Sequence, residues 1–135
     1  MWQIIVGIFL VLHGLVHLLY FGQSTRLFQL QPGMTWPDGS WAFSRLLGDE
    51  LVRSLAGVSC GLATIGFVVG GIAIFVTQTW WRPVIIGSAA FSALIFIFLW
   101  DGQVHALANK GLFAILINLV ILVALLMFRW PRFGF

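Results

Sequence analysis

Four apolar stretches, separated by polar or turn-forming segments, set the pattern of this chain. The first, Trp2 to Phe21 (WQIIVGIFLVLHGLVHLLYF), is long enough to cross a bilayer and carries two histidines four residues apart. At about 100° per residue, His13 and His17 share one helix face with Gln3, Val6, Leu10, Tyr20 and Ser24, flanked by Gly7 and Gly14. Small residues beside a polar stripe let a neighbouring helix come close. The opposite side, with Ile4, Ile5, Ile8, Val11, Leu12, Leu15 and Leu19, suits lipid. No basic segment precedes this run and no A-x-A-like site follows it, so it reads as a retained span rather than a signal peptide.

The second stretch runs from about Leu51 to Val76, after Gly48-Asp49-Glu50, and carries a small or polar stripe of Ser54, Gly57, Gly61, Thr64 and Gly71. Within it, Gly57-x-x-x-Gly61 has the spacing of close helix packing in membranes. Trp80 and Trp81 then stand at a predicted interface, with Pro83 at the start of the third stretch, Val84 to Trp100. Ser88, Ala89, Ser92 and Ala93 form its packing face. Asp101-Gly102 closes it, and Gln103–Lys110 is a polar connection holding His105. The fourth stretch, about Gly111 to Phe128, has one strongly polar interior residue, Asn118, expected to bond across to another helix.

Between the first two stretches, residues 22–50 hold the turn signals Pro32-Gly33 and Trp36-Pro37-Asp38-Gly39. Phe28, Met34, Trp36, Trp41 and Phe43 are too many apolar rings and chains for a free linker, so a structured interfacial cap is expected, with a short helix near Ser40–Leu47. The pattern therefore predicts an all-α fold. It is a single integral membrane domain, residues 1–135, built as an antiparallel bundle of four transmembrane helices (2–21, 51–76, 84–100, 111–128). The cap, 22–50, lies between helices 1 and 2.

Composition narrows the function classes. The chain is 61% hydrophobic and only 8% charged, with a mean hydropathy of +1.05, against about 25% charged residues in soluble proteins. Seven basic and four acidic residues are too sparse for a nucleic-acid face, so the expected partner is the lipid bilayer, together with other membrane subunits or a second copy of the chain. Cys60 is the only cysteine, which leaves no intrachain disulfide and no dithiol redox pair. Four spans put both termini on one side with Arg82, Arg129 and Arg132. The other side holds Arg26, Arg45, Arg53 and Lys110 with all four acids. The acid-free side is assigned to the cytoplasm, in the cell's inner membrane.

The same topology puts the cap and the Gln103–Lys110 connection on one side. His13, His17, Tyr20, Asp101 and His105 are then the candidate residues of one polar pocket under the cap, with Arg26 nearby. An ionisable pair at membrane depth marks a functional site by default. Histidines at i and i+4 can chelate a metal but need a third ligand, and one could ligate a haem axially. A quinone pocket needs only a His or Tyr donor and aromatic walls. The bland alternative is that the histidines are neutral and bonded to Ser, Asn or backbone, tightening the bundle. No Walker sequence, H-E-x-x-H or ordered nucleophile–base–acid set occurs, so hydrolase and ATPase readings have no footing. No carboxylate lies within a span, which counts against a proton-coupled exporter.

Leu12-His13-Gly14-Leu15, followed by Tyr20-Phe21-Gly22, resembles the first-helix signature of the DoxX-like membrane proteins. The span number, the length and the long first loop are similar too. The family usually has a basic residue, often Lys, where His17 stands. The resemblance implies a small four-helix inner-membrane protein associated with quinone-linked oxidoreductase complexes. The expectation is an accessory subunit of a redox-linked membrane assembly, without catalysis of its own. The alternatives are a quinone- or metal-binding redox subunit acting through His13 and His17, and a small homodimeric transporter.

Overall fold

The structure, a computed structural model, describes residues 1–30 and 32–135; residue 31, inside the expected cap, lies outside the described residues. It is all-helical, with no strand among the described residues. Three long apolar helices, α1 (Trp2–Ser24), α2 (Ser44–Phe75) and α3 (Trp81–Phe98), are each long and apolar enough to cross a membrane, which marks an integral membrane protein. A shorter helix, α4 (Leu112–Leu122), continues as a π-helical turn through Met127. Together Leu112–Met127 measures about 24 Å at 1.5 Å per residue.

Helix α1 buries the face that its periodicity predicts. Leu10, His13, His17, Tyr20 and Ser24 are buried, with Gly7 and Gly14, while Ile4, Ile5, Ile8, Leu12, Leu15 and Leu19 are exposed. Its partner along this face is α2. Gly14 is what lets them touch: a β-carbon there would lie 2.7 Å from Phe67 Cβ and 3.3 Å from the Thr64 carbonyl oxygen. Thr64 Oγ1 in turn shares its proton between the Gly14 carbonyl at 3.1 Å and its own helix's Cys60 carbonyl at 2.9 Å. The expected stripe on α2 is only partly used. Gly57, Thr64 and Gly71 are buried, but Ser54 is exposed and nothing lies within 4 Å of a β-carbon on Gly61.

Helix α2 starts earlier than predicted because the short Ser44–Leu47 turn runs into it across Gly48, whose φ of 78° breaks the helical backbone. Helix α3 also starts earlier, at Trp81, so Pro83 sits inside the first turn rather than at its first position. No intrahelical acceptor exists for that turn's N–H groups, so the proline costs no hydrogen bond. Trp81, expected at an interface, is buried against Phe133, and only Trp80 remains exposed.

Helix ends leave carbonyls without partners, and two neighbouring segments supply them. At one end of α3, Trp41 Nε1–H donates to Ile97 O (2.8 Å), Ser40 Oγ–H to Phe98 O, and the Trp41 amide to Trp100 O (2.9 Å). The cap is thus fixed to α3 by main-chain carbonyls as well as by burial of Met34 and Trp36. At the other end, the Arg82 guanidinium donates to Leu125 O, Arg129 O and Pro131 O, closing the end of α4. Gln3 donates to Ile74 O at 2.7 Å and the rings of Trp2 and Trp130 meet edge to face, so all four helices have one end in this region.

Candidate functional site

Three helices bring His13, His17, Ser92 and Asn118 together in the interior, all four buried. Their hydrogen bonds run in one direction. His13 Nε2 lies 2.9 Å from Asn118 Oδ1, an acceptor only, so the imidazole donates. Asn118 Nδ2 donates to Ser92 Oγ at 2.8 Å. Ser92 then has its own proton for His17 Nε2, 2.6 Å away. His17 Nδ1 lies 3.0 Å from the His13 carbonyl, which can only accept, so Nδ1 carries the proton and Nε2 is left to accept. The circuit begins and ends on His13. Both imidazoles fit it in their neutral form, and His17, Ser92 and Asn118 have every side-chain polar atom engaged.

Aromatic rings wall this circuit. Phe67 packs edge to face on His13 (4.8 Å between centroids) and stacks on His17 (5.5 Å), while Phe96 lies 6.0 Å from His17. Phe96 continues into a second layer with Tyr20 (4.8 Å) and Trp36 (5.2 Å), directly under the cap. It can sit there because Gly111, at φ 91°, has no side chain: a β-carbon would fall 2.1 Å from the Phe96 ring.

Of the expected pocket residues, His13, His17 and Tyr20 line one face of α1 and lie in these two layers. Asp101 and His105 are arranged differently. The imidazoles take their polar partners from α3 and α4, and the Asp101–His105 bend supplies none of them. Asp101 is held instead by buried Lys110, with Nζ 3.0 Å from Oδ2, and by the Gln103 amide at 2.9 Å from Oδ1. Partial burial pushes the Asp101 carboxyl upward, but the Gln103 amide, Lys110 and nearby His105 outweigh it and hold it below its ordinary value. His105 is exposed. Arg26 spans the cap junction, donating to Gln23 O and Pro37 O at 3.4 Å each.

Sequence reasoning assigned Ser92 to packing and did not foresee its place in the circuit. The signal was matched depth: His17 lies seven residues before the end of α1, Ser92 six before the end of α3, and Asn118 six after the start of α4. Two further groups were missed. Gln23 and Trp36 are each 1% exposed, and among the described residues neither Gln23 amide atom nor the Trp36 indole N–H has a hydrogen-bond partner. The Arg26 guanidinium bonds to the Gln23 carbonyl and to that of Pro37, which follows Trp36 in the chain. Among the described residues no three His, Cys, Asp or Glu side chains come together as a metal centre would require. No protein-family model, curated protein or solved structure matches the chain.

Proposed function

We propose that this chain is a small accessory subunit of a redox-linked membrane assembly, folded as an antiparallel bundle of four transmembrane helices with its termini in the cytoplasm. Leu112–Met127, with its flanking residues, serves as the fourth span, and acid-free Arg82, Arg129 and Arg132 set the orientation. The redox-linked part rests on the resemblance of Leu12-His13-Gly14-Leu15 to the DoxX-like proteins. The non-catalytic part rests on one observation, the closed circuit of His13, Asn118, Ser92 and His17. A chelating histidine pair needs a free nitrogen on each ring, and His17 has none to give. The circuit instead ties α1 to α3 and α4, as buried polar groups do when fully satisfied.

Isolation in a mild detergent, followed by native mass determination, metal analysis and an optical spectrum, tests this reading. The expected result is a defined complex with other membrane polypeptides, carrying no stoichiometric metal or chromophore bound through His17. A lone protomer whose stoichiometric metal or chromophore disappears in His17→Ala contradicts it.

One observation favours a second reading, direct binding of a quinone-like carbonyl compound under the cap. Among the described residues, the buried Trp36 Nε1–H, which packs beside Tyr20 and Phe96, and the buried Gln23 amide find no acceptor, and such groups are normally satisfied by something. Saturable quenching of tryptophan fluorescence by a short-chain quinone, lost in Trp36→Phe and in Gln23→Leu, is the outcome that would favour it.

A further inference from the structure

At the end of the molecule opposite the cap, Arg82, Arg129 and Arg132 line a single groove of about 630 Å³, floored by Ile86, Leu125 and Leu126. Three like charges share it, and no acidic residue stands near them in the sequence. The four acids are Asp38, Asp49, Glu50 and Asp101, three of them in the cap or on its Gly48 junction and one paired with Lys110 on the cap-side bend. Arg82 spends its donors on the carbonyls that end α4, which fixes its position without neutralising it. Arg129, at φ 49°, holds the left-handed conformation that turns the chain there, and its side chain is exposed with that of Arg132.

Leu125 also borders a second space, an almost wholly apolar cleft of about 280 Å³ between α1, α3 and α4, walled by Phe9, Ile85, Ile121 and the interfacial Trp2 and Trp130. A cationic groove beside an apolar cleft, with Leu125 as their common wall and Arg132 next to Trp2 and Trp130, matches an amphiphile. We infer that this end of the protein is a binding site for an anionic phospholipid, its phosphate against Arg129, Arg132 and the outer edge of Arg82, and one acyl chain in the cleft beneath Trp2 and Trp130. Guanidinium groups suit a phosphate oxygen pair geometrically, and basic pockets between helix ends are where lipid phosphates collect. The occupant is a lipid rather than a free anion because the apolar cleft adjoins the charges and gives the chain somewhere to lie.

The test is a native mass-spectrometric titration of the purified chain in micelles with phosphatidylglycerol, phosphatidylcholine or inorganic phosphate, checked by thermal unfolding. Phosphatidylglycerol is expected to bind roughly tenfold or more tightly than phosphatidylcholine and to raise the unfolding midpoint. Arg129→Gln with Arg132→Gln should weaken it by about 25-fold, the product of two arginines worth about fivefold each near a lipid surface. Arg45→Gln, on the cap side, should leave the affinity unchanged. Arg82 is left intact because it closes α4. Equal binding of the two lipids, native affinity in the double variant, an equal loss in Arg45→Gln, or stabilisation by inorganic phosphate matching that of the lipid would each overturn the assignment.

Discussion

Replacing Asn118 by leucine removes the centre of the buried circuit. The His13 Nε2–H loses its acceptor at 2.9 Å and Ser92 loses a donor at 2.8 Å. Leucine keeps asparagine's branching and heavy-atom count and is somewhat bulkier, so no cavity opens and the loss comes from the severed hydrogen bonds. An orphaned buried donor costs about 1–3 kcal/mol, whereas side-chain hydrogen bonds between membrane helices average about 0.6 and reach about 1.7 kcal/mol. Asn118 and Ser92 are both 0% exposed, so the expected cost falls at the upper end of the membrane range, about 1–2 kcal/mol. Ser92→Ala, which cuts the same circuit next door, should cost a similar amount. Because either substitution opens the ring, the double variant should lose distinctly less than the two added together, with a coupling of about 0.5 kcal/mol or more. Ser88→Ala is the control: its hydroxyl bonds only to its own helix at Val84 O, and it should stay within about 0.5 kcal/mol of the native protein. Reversible unfolding in mixed micelles, followed by helical circular dichroism, measures all four. Additive losses, or single variants indistinguishable from native, would refute the closed ring.

Three other outcomes follow from the same contacts. Gly14→Ala should destabilise by about 1–3 kcal/mol, since its β-carbon meets Phe67 and the Thr64 backbone, while Gly61→Ala should be neutral in the same unfolding assay. Asp101→Asn should cost about 1–3 kcal/mol at neutral pH by leaving Lys110 buried without its partner. The folded carboxyl titrates below its unfolded value, so that contribution is complete above the ordinary carboxylate range and is lost as pH falls through the folded value. Midpoints of native and variant should therefore converge below about pH 4. Gln23→Leu reads out the space under the cap: if its amide is satisfied by a bound molecule, unfolding becomes easier by about 1 kcal/mol or more, and if it is a true orphan the variant gains stability.

What could be read from the chain was whatever depends on period and length. The buried face of α1, Gln3 through Ser24, follows from 3.6-residue spacing, and Asn118 crosses to another helix because a lone amide in an apolar span has no cheaper partner. The cap's attachment was foreseeable from its rings, although Trp36 and Met34 carry the burial while Trp41 contributes through its indole N–H. What could not be read was rotation about the helix axes and competition among nearby partners. Topology put Asp101 on the same side as Tyr20, but Lys110 and the Gln103 amide, a few residues along the chain, claim the carboxylate first. Gly57 and Gly61 share a motif, yet only Gly57 meets a neighbour, the Ser24 hydroxyl, because α2 faces α1 through Gly57, Thr64 and Gly71, seven residues apart, and Gly61 is turned off that line. Trp81 turned inward because Phe133 returns to pack on it, a contact between residues far apart in sequence.

Nitrogen-15 NMR of the protein labelled at histidine tests the buried circuit most directly, since it reports which nitrogen of each ring holds the proton. The expected spectrum has His13 protonated at Nε2 and His17 at Nδ1, both neutral, with the His17 Nε2 signal moved in Ser92→Ala and the His13 Nε2–H signal moved in Asn118→Leu. Opposite tautomers, or rings that cross-relax with lipid acyl chains and ignore both substitutions, would contradict it.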